Sequence, residues 1–117
     1  MTVDIDETTL TERVVLLGVL RQARRDETPA TSAELQSVCE DCLDAVDAEV
    51  VGRLTEAEVT RALNSLAASA LVEEALPKRS PVGKGRPSYD LTVEESTLLS
   101  ALSADDRVRP VVDYIEE

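Results

Sequence analysis

The chain has 117 residues, of which 43% are hydrophobic, and this length suits one domain that can bury a core of ordinary size. Its longest apolar stretch, Val14 to Leu20, is too short for a transmembrane helix or a signal peptide, so we expect a cytoplasmic protein. The chain contains no His, no glycine-rich phosphate loop and no clustered acids outside predicted helix starts. It therefore offers no general base, nucleophile or metal cage, and we expect neither catalysis nor a cofactor.

The charge balance is strongly acidic. The 24 acidic residues outnumber the 12 basic residues, which gives a net charge of −12, and ten of the basic residues are Arg. An excess of acid with few Lys looks like the proteins of extreme halophiles, although an acidic mesophilic protein that avoids nucleic acid has a similar composition. In molar salt the Debye length falls to about 3 Å, so a net negative charge no longer keeps such a protein away from DNA.

The first elements are predicted from helix-start signals. Residues 1–8 are polar and acidic, and we expect a flexible lead-in. Thr9 and Glu12 have the spacing of a capping box and predict a helix to about Arg25, whose apolar residues extend so far round the cylinder that it should lie centrally in the core. In a winged fold, residues 29–31 would form a short first strand.

The second helix carries both cysteines. Thr31 and Glu34 form another capping box, and Cys39 and Cys42 lie on the apolar stripe of the helix that follows. Two cysteines without His cannot complete a tetrahedral zinc site within one chain, so we interpret them as buried small hydrophobic residues. A redox sensor or a zinc ion shared across a dimer stays open as an alternative.

The stretch from residue 54 to residue 91 is the most informative. Thr55 and Glu58 form a capping box, and the apolar residues at helical spacing that follow predict an amphipathic helix. Its outward face would present Thr60, Arg61 and Asn64. A short strand from about residue 71 and a returning strand through residues 88–91 complete the unit.

Between those two strands the charge changes sign. Residues 76–89 contain four basic residues and no acid, which leaves −16 on the rest of the chain, and their glycines and prolines predict a turn-rich loop. The four cations are Lys78, Arg79, Lys84 and Arg86. Such a loop between two strands is typical of a wing.

A predicted helix and then a short C-terminal segment follow the wing. Thr92 and Glu95 have the spacing of a fourth capping box, and this helix should end near Ser103. Residues 104–117 form a short final helix or a tail, with apolar residues that could support a homodimer; these are Val111, Val112, Tyr114 and Ile115. We therefore divide the chain into a lead-in at 1–8, a domain at 9–103 and a C-terminal segment at 104–117.

The predicted order is helix, strand, helix, helix, strand, wing, strand, helix, and it indicates a mainly α winged helix-turn-helix with a small β-hairpin. Three segments carry a resemblance to the C-terminal winged-helix domain of archaeal replication-initiator proteins of the origin-recognition family, or to a generic archaeal winged-helix regulator. The segments are LTERVVLLGVLRQARRDETPATSAELQSVCEDC, LTEAEVTRALNSLAASALVEE and GKGRPSYDLTV. The chain departs from that family in lacking an ATPase module, in having acids at the start of the third helix, and in having Ala70 where glycine is usual.

The resemblance implies binding of double-stranded DNA, in a transcriptional or replication-associated role. The third helix would enter the major groove, with Arg61 suited to a guanine edge and Asn64 to an adenine edge, and the wing cations would hold the backbone or the minor groove. In the alternative interpretation Arg61 pairs with Glu58 or Glu56 on its own helix, and the wing is merely solvated. A second class of function is a winged-helix adaptor that binds a protein partner instead of DNA.

Overall fold

The computed structural model describes residues 8–28, 30–46, 54–75 and 88–116. These residues form a mainly helical fold, as predicted, and its small antiparallel sheet has three strands where the predicted hairpin has two. In chain order the elements are α1 (Leu10–Arg24), β1 (Ala30–Thr31), α2 (Ser32–Val46), α3 (Glu56–Ala68), β2 (Val72–Ala75), β3 (Ser88–Leu91), α4 (Glu95–Ser103) and α5 (Arg109–Glu116).

Helix α1 lies at the centre of the core. All seven residues at positions 14–20 are buried, and the helix contacts α2, α3, α5 and β3. Gly18 lets α1 pack closely against α2, because a Cβ at this position would lie 2.7 Å from Sγ of Cys39 on α2. The apolar residues that surround the α1 cylinder therefore pack against neighbours on several sides, as the sequence predicted.

The first two capping boxes form as predicted. At the start of α1, the Glu12 N–H donates to the Thr9 hydroxyl at 3.1 Å, and the Thr9 N–H donates to the Glu12 carboxylate at 3.0 Å. Thr31 and Glu34 make the same reciprocal pair at the start of α2, at 2.9 and 3.3 Å. Both helix starts are thus fixed by residues three apart in sequence.

The sheet places β3 between β1 and β2. In the β2–β3 pair, Val72 lies opposite Leu91 and Ala75 lies opposite Ser88. On the other side of β3, Ala30 pairs with Tyr89, so the short first strand forms over Ala30–Thr31, while position 29 lies outside the described residues.

The fourth capping box was wrong. Helix α4 begins after an N-cap at Glu94, which makes no side-chain capping bond, and the Thr92 hydroxyl donates instead to the Ala70 carbonyl. The Thr92 N–H also donates to the Leu71 carbonyl at 3.2 Å. Thr92 therefore joins the end of β3 to the turn between α3 and β2, and this tertiary contact replaces the local cap.

The C-terminal segment folds back onto the core as α5. Val111, Val112 and Ile115 are buried, and the Arg21 guanidinium lies over the Tyr114 ring, 4.7 Å from its centroid. The apolar residues that suggested a dimer are thus largely covered within the chain.

Asp105 forms ion pairs that hold the turn before α5 against α1. Its carboxylate accepts from Arg13 of α1 at 2.5 Å and from the Arg107 side chain at 3.1 Å. Hydrogen bonds from Arg107 and Arg13 hold the pKa of this carboxyl well below its usual range, against the opposing effect of burial. Asp105 therefore links α1 to the turn before α5 through two ion pairs.

Both cysteines are buried and unbridged, as the apolar-stripe interpretation predicted. The Cys39 thiol donates to the Val14 carbonyl at 3.6 Å. Burial raises the pKa of the Cys39 thiol to about 12 and also raises that of Cys42. Neither group is poised as a thiolate near neutral pH.

Candidate nucleic-acid interface

Helix α3 is held against the core by one apolar face. Val59, Leu63 and Leu66 are fully buried, and the helix contacts α1, α2 and β2. At its start the Glu58 N–H donates to the Thr55 hydroxyl at 3.1 Å, so the predicted cap is present. The packing and the cap together determine which side of α3 faces solvent.

Two of the three predicted residues on α3 lie fully on that solvent side. Arg61 and Asn64 are exposed, whereas Thr60 is half-buried. At 100° per residue, Thr60 lies at the border between the buried and exposed faces, and Arg61 lies near the middle of the exposed face. Thr60 could therefore contact only the edge of a ligand bound to α3. Arg61 and Asn64 could contact a ligand that binds against the exposed face of the helix.

Ser65 belongs to the same exposed face and was missed by the sequence interpretation. It lies one turn beyond Arg61, and both side chains point to solvent. The signal was available, because residues four apart share a helix face. Ala57, one turn before Arg61, and Ala68 are also exposed and carry no polar group.

Arg61 makes no ion pair with any other residue that the structure describes. Glu58, which lies within reach at i−3, instead accepts a hydrogen bond from the Thr55 hydroxyl at 3.1 Å. Glu56 accepts from the Ser32 hydroxyl at 3.4 Å. The interpretation in which Arg61 is neutralised by Glu58 or Glu56 was thus wrong for the described residues, although both acids remain exposed at the first turn of the helix.

The end of α3 is closed by a Schellman motif. The Leu71 N–H donates to the Leu66 carbonyl at 3.0 Å, and the Ala70 N–H donates to the Ala67 carbonyl at 3.1 Å. Ala70 has φ of 60°, the left-handed conformation that favours glycine. Ala70 lies exposed beyond Ala68, the last residue of α3.

The predicted wing cations lie outside the described residues; they are Lys78, Arg79, Lys84 and Arg86. What the structure does describe is the pair of strands that flanks them. Ala75, the last residue of β2, and Ser88, the first residue of β3, are directly paired. The residues on either side of the cationic segment at 76–87 are therefore direct neighbours in one strand pair.

The strands beside this segment are acidic. Glu73 and Glu74 of β2 are exposed, and Asp90 of β3 is half-buried. Glu73 lies directly opposite Asp90 in the strand register. Sequence reasoning gave the alternation of these strands but not their register, so this juxtaposition was missed.

The described residues contain no group of three or more His, Cys, Asp or Glu side chains placed to hold a metal ion. An open depression between α1 and α4 is lined by side chains of opposite charge, including Arg24 and Glu94.

Among the residues that the structure describes, no helix combines the length and the apolar character that a membrane crossing requires.

Comparisons with protein-family models, with curated proteins and with solved structures each returned no match for this chain. The candidate interface therefore rests on its own geometry.

Proposed function

We propose that the chain is a winged helix-turn-helix protein that binds double-stranded DNA without catalysis, as a cytoplasmic transcriptional regulator or replication-associated factor. The element order from α1 to β3 and the strand order β1–β3–β2 support this proposal. In this proposal α2 and α3 are the helix-turn-helix pair, and residues 76–87 are the wing.

The observation that carries the proposal is the state of Arg61. This guanidinium is exposed near the middle of the solvent face of α3 and makes no ion pair among the described residues. A guanidinium presents a planar set of donors that matches a guanine edge or a phosphate. Asn64 on the same face can pair with an adenine edge, so α3 offers two groups suited to base contacts.

The cationic segment supplies the second part of the interface. Its four basic residues are Lys78, Arg79, Lys84 and Arg86, and they follow from the sequence alone. Because Ala75 and Ser88 are paired, this charge is attached to the sheet that α3 contacts. Phosphate contacts from such a segment would fix the position of α3 on the duplex without reading sequence.

An adaptor that binds a protein partner is the alternative, and one observation favours it. Glu56 and Glu58 are both exposed on the first turn of α3, where phosphate would be repelled. A basic protein surface would suit this turn better than DNA does. The DNA proposal therefore needs molar salt, or a docking angle that keeps the first turn away from the backbone.

Binding of a mixed-sequence DNA duplex by the full chain, measured by fluorescence anisotropy in low and molar KCl, tests the proposal. Lys84→Glu/Arg86→Glu should abolish binding. A matched control is Arg24→Glu/Arg109→Glu, which makes the same change of net charge at two exposed arginines on α1 and α5. Equal binding by wild type and the wing variant rejects the wing assignment, and no binding by wild type at either salt concentration favours the adaptor.

A further inference from the structure

The strand pair that holds both ends of residues 76–87 contains like charges placed face to face. Glu73 of β2 and Asp90 of β3 are direct partners in an antiparallel register. Side chains at such positions share one face of the sheet, with Cβ atoms about 4.5–5.5 Å apart, and like charges there oppose pairing. The strand pair is thus weakened at this register position.

Nothing in the two strands offsets this repulsion. Their sequences, VEEA and SYDL, contain three acids and no Lys or Arg. Neither Glu73 nor Asp90 forms an ion pair with another described residue. Asp90 accepts a hydrogen bond from the Leu91 N–H at 2.8 Å, which holds its carboxylate beside the strand.

The third acid adds to the negative potential from the opposite face. Glu74 lies opposite Tyr89, and burial together with the nearby Glu74 charge raises the pKa of the Tyr89 hydroxyl. The β2–β3 pair therefore carries negative charge on both of its faces.

We propose that monovalent salt controls the pairing of β2 with β3 by screening the repulsion between Glu73 and Asp90. The Debye length is about 10 Å at 0.1 M salt and about 3 Å at 1 M. The distance of about 4.5–5.5 Å expected between the Cβ atoms of Glu73 and Asp90 lies between these values. Salt in this range strengthens the ladder and tightens the hold on both ends of the cationic segment. The consequence for DNA, that the segment is best anchored at high salt, rests on the proposed function.

A double-mutant cycle on the full chain tests this salt control of strand pairing without DNA. Amide hydrogen exchange of β2 and β3 is measured for wild type, Glu73→Gln, Asp90→Asn and the double variant, in about 0.1 M and about 1 M KCl. At low salt each single substitution should raise the protection factors about two- to fivefold, and the double variant should gain no more than a single one. At molar salt all four proteins should exchange alike.

Asp113→Asn is the control, because it removes the same charge from an exposed position on α5. It should leave the protection of β2 and β3 unchanged at both salt concentrations. Additive gains from the two strand substitutions, equal gains from the control, or lower protection in the single variants would each overturn the proposal. Lower protection would mean that nearby cations already neutralise the two carboxylates.

The experiments distinguish a failure of the proposed salt control from a failure of the proposed function. If the cycle shows no coupling while wild type binds DNA, only the salt control is rejected. If coupling is present and DNA does not bind, the strand pair responds to salt but the function is wrong.

Discussion

Gly18 of α1 and Cys39 of α2 approach so closely that a Cβ at position 18 would lie 2.7 Å from the cysteine Sγ. An alanine in a helix interior is ordinarily more stable than a glycine by about 1 kcal/mol, but here the added methyl group collides with a buried sulfur atom. We predict that Gly18→Ala lowers the free energy of unfolding by about 1–3 kcal/mol, measured by urea denaturation.

The control for this prediction is the same substitution in a Cys39→Ala background. Removing Sγ removes the collision, so Gly18→Ala should cost at least about 1 kcal/mol less there than in wild type. Additive effects of the two substitutions would show that the close approach does not limit position 18.

The two buried thiols give a second prediction. Cys39 and Cys42 are each about 1% exposed, and burial raises the pKa of both thiols. We expect both to be unreactive towards a disulfide reagent in the native protein at neutral pH, and to react at once in denaturant. Rapid reaction of both thiols in the native protein would contradict their burial and would reopen the redox and shared-zinc alternatives.

The left-handed backbone at Ala70 predicts a stabilising substitution. Its φ of 60° strains any residue that carries a Cβ, whereas glycine adopts this conformation freely. Ala70→Gly should raise the free energy of unfolding by about 0.5–1 kcal/mol, after the greater entropy of glycine in the unfolded chain is included. Ala68→Gly, at the last residue of α3, is the matched control and should lower stability by up to about 1 kcal/mol. The prediction fails if both substitutions destabilise the protein equally.

The Asp105 ion pairs predict a dependence of stability on pH. Because Arg107 and Arg13 lower the folded pKa of Asp105 from its ordinary value of 3.8, its contribution is complete above that value and is lost as pH falls towards the lowered pKa. Asp105→Asn should lower the free energy of unfolding by about 1–3 kcal/mol at neutral pH. The difference from wild type should shrink progressively below about pH 4. A difference that is constant from neutral to strongly acidic pH would show that the charge of Asp105 is not what stabilises this turn.

Local rules predicted the helix starts and failed where a distant group intervened. Thr9 with Glu12 forms its capping box because both partners lie within one helical turn. Thr92 has the same spacing to Glu95, yet its hydroxyl bonds to the Ala70 carbonyl, 22 residues away in sequence. The periodicity of α3 likewise gave no warning that Ala70 lies beyond the helix end, because alanine is a helix former and glycine is the usual stop signal.

The sequence predicted which residues of α3 face solvent, but it did not predict the contacts that these residues make. Sequence reasoning identified Arg61 and Asn64 as outward-facing, and helical periodicity was sufficient for that. It could not decide between a free Arg61 and one paired with Glu58, because that choice depends on whether Glu58 turns towards Thr55. The register that opposes Glu73 and Asp90 depends on the hairpin as a whole and follows from neither strand alone.

The central claim is that the solvent face of α3 meets DNA, and Arg61 tests it most directly. Arg61→Glu and Arg109→Glu make the same change of net charge at two exposed arginines, one on α3 and one on α5. The measurement is duplex affinity of both variants and wild type in molar KCl, where screening removes the general effect of charge. We predict that Arg61→Glu binds roughly tenfold or more weakly than wild type and that Arg109→Glu binds as wild type does. Equal affinities for the two variants would contradict the assignment of α3 as the helix that contacts DNA.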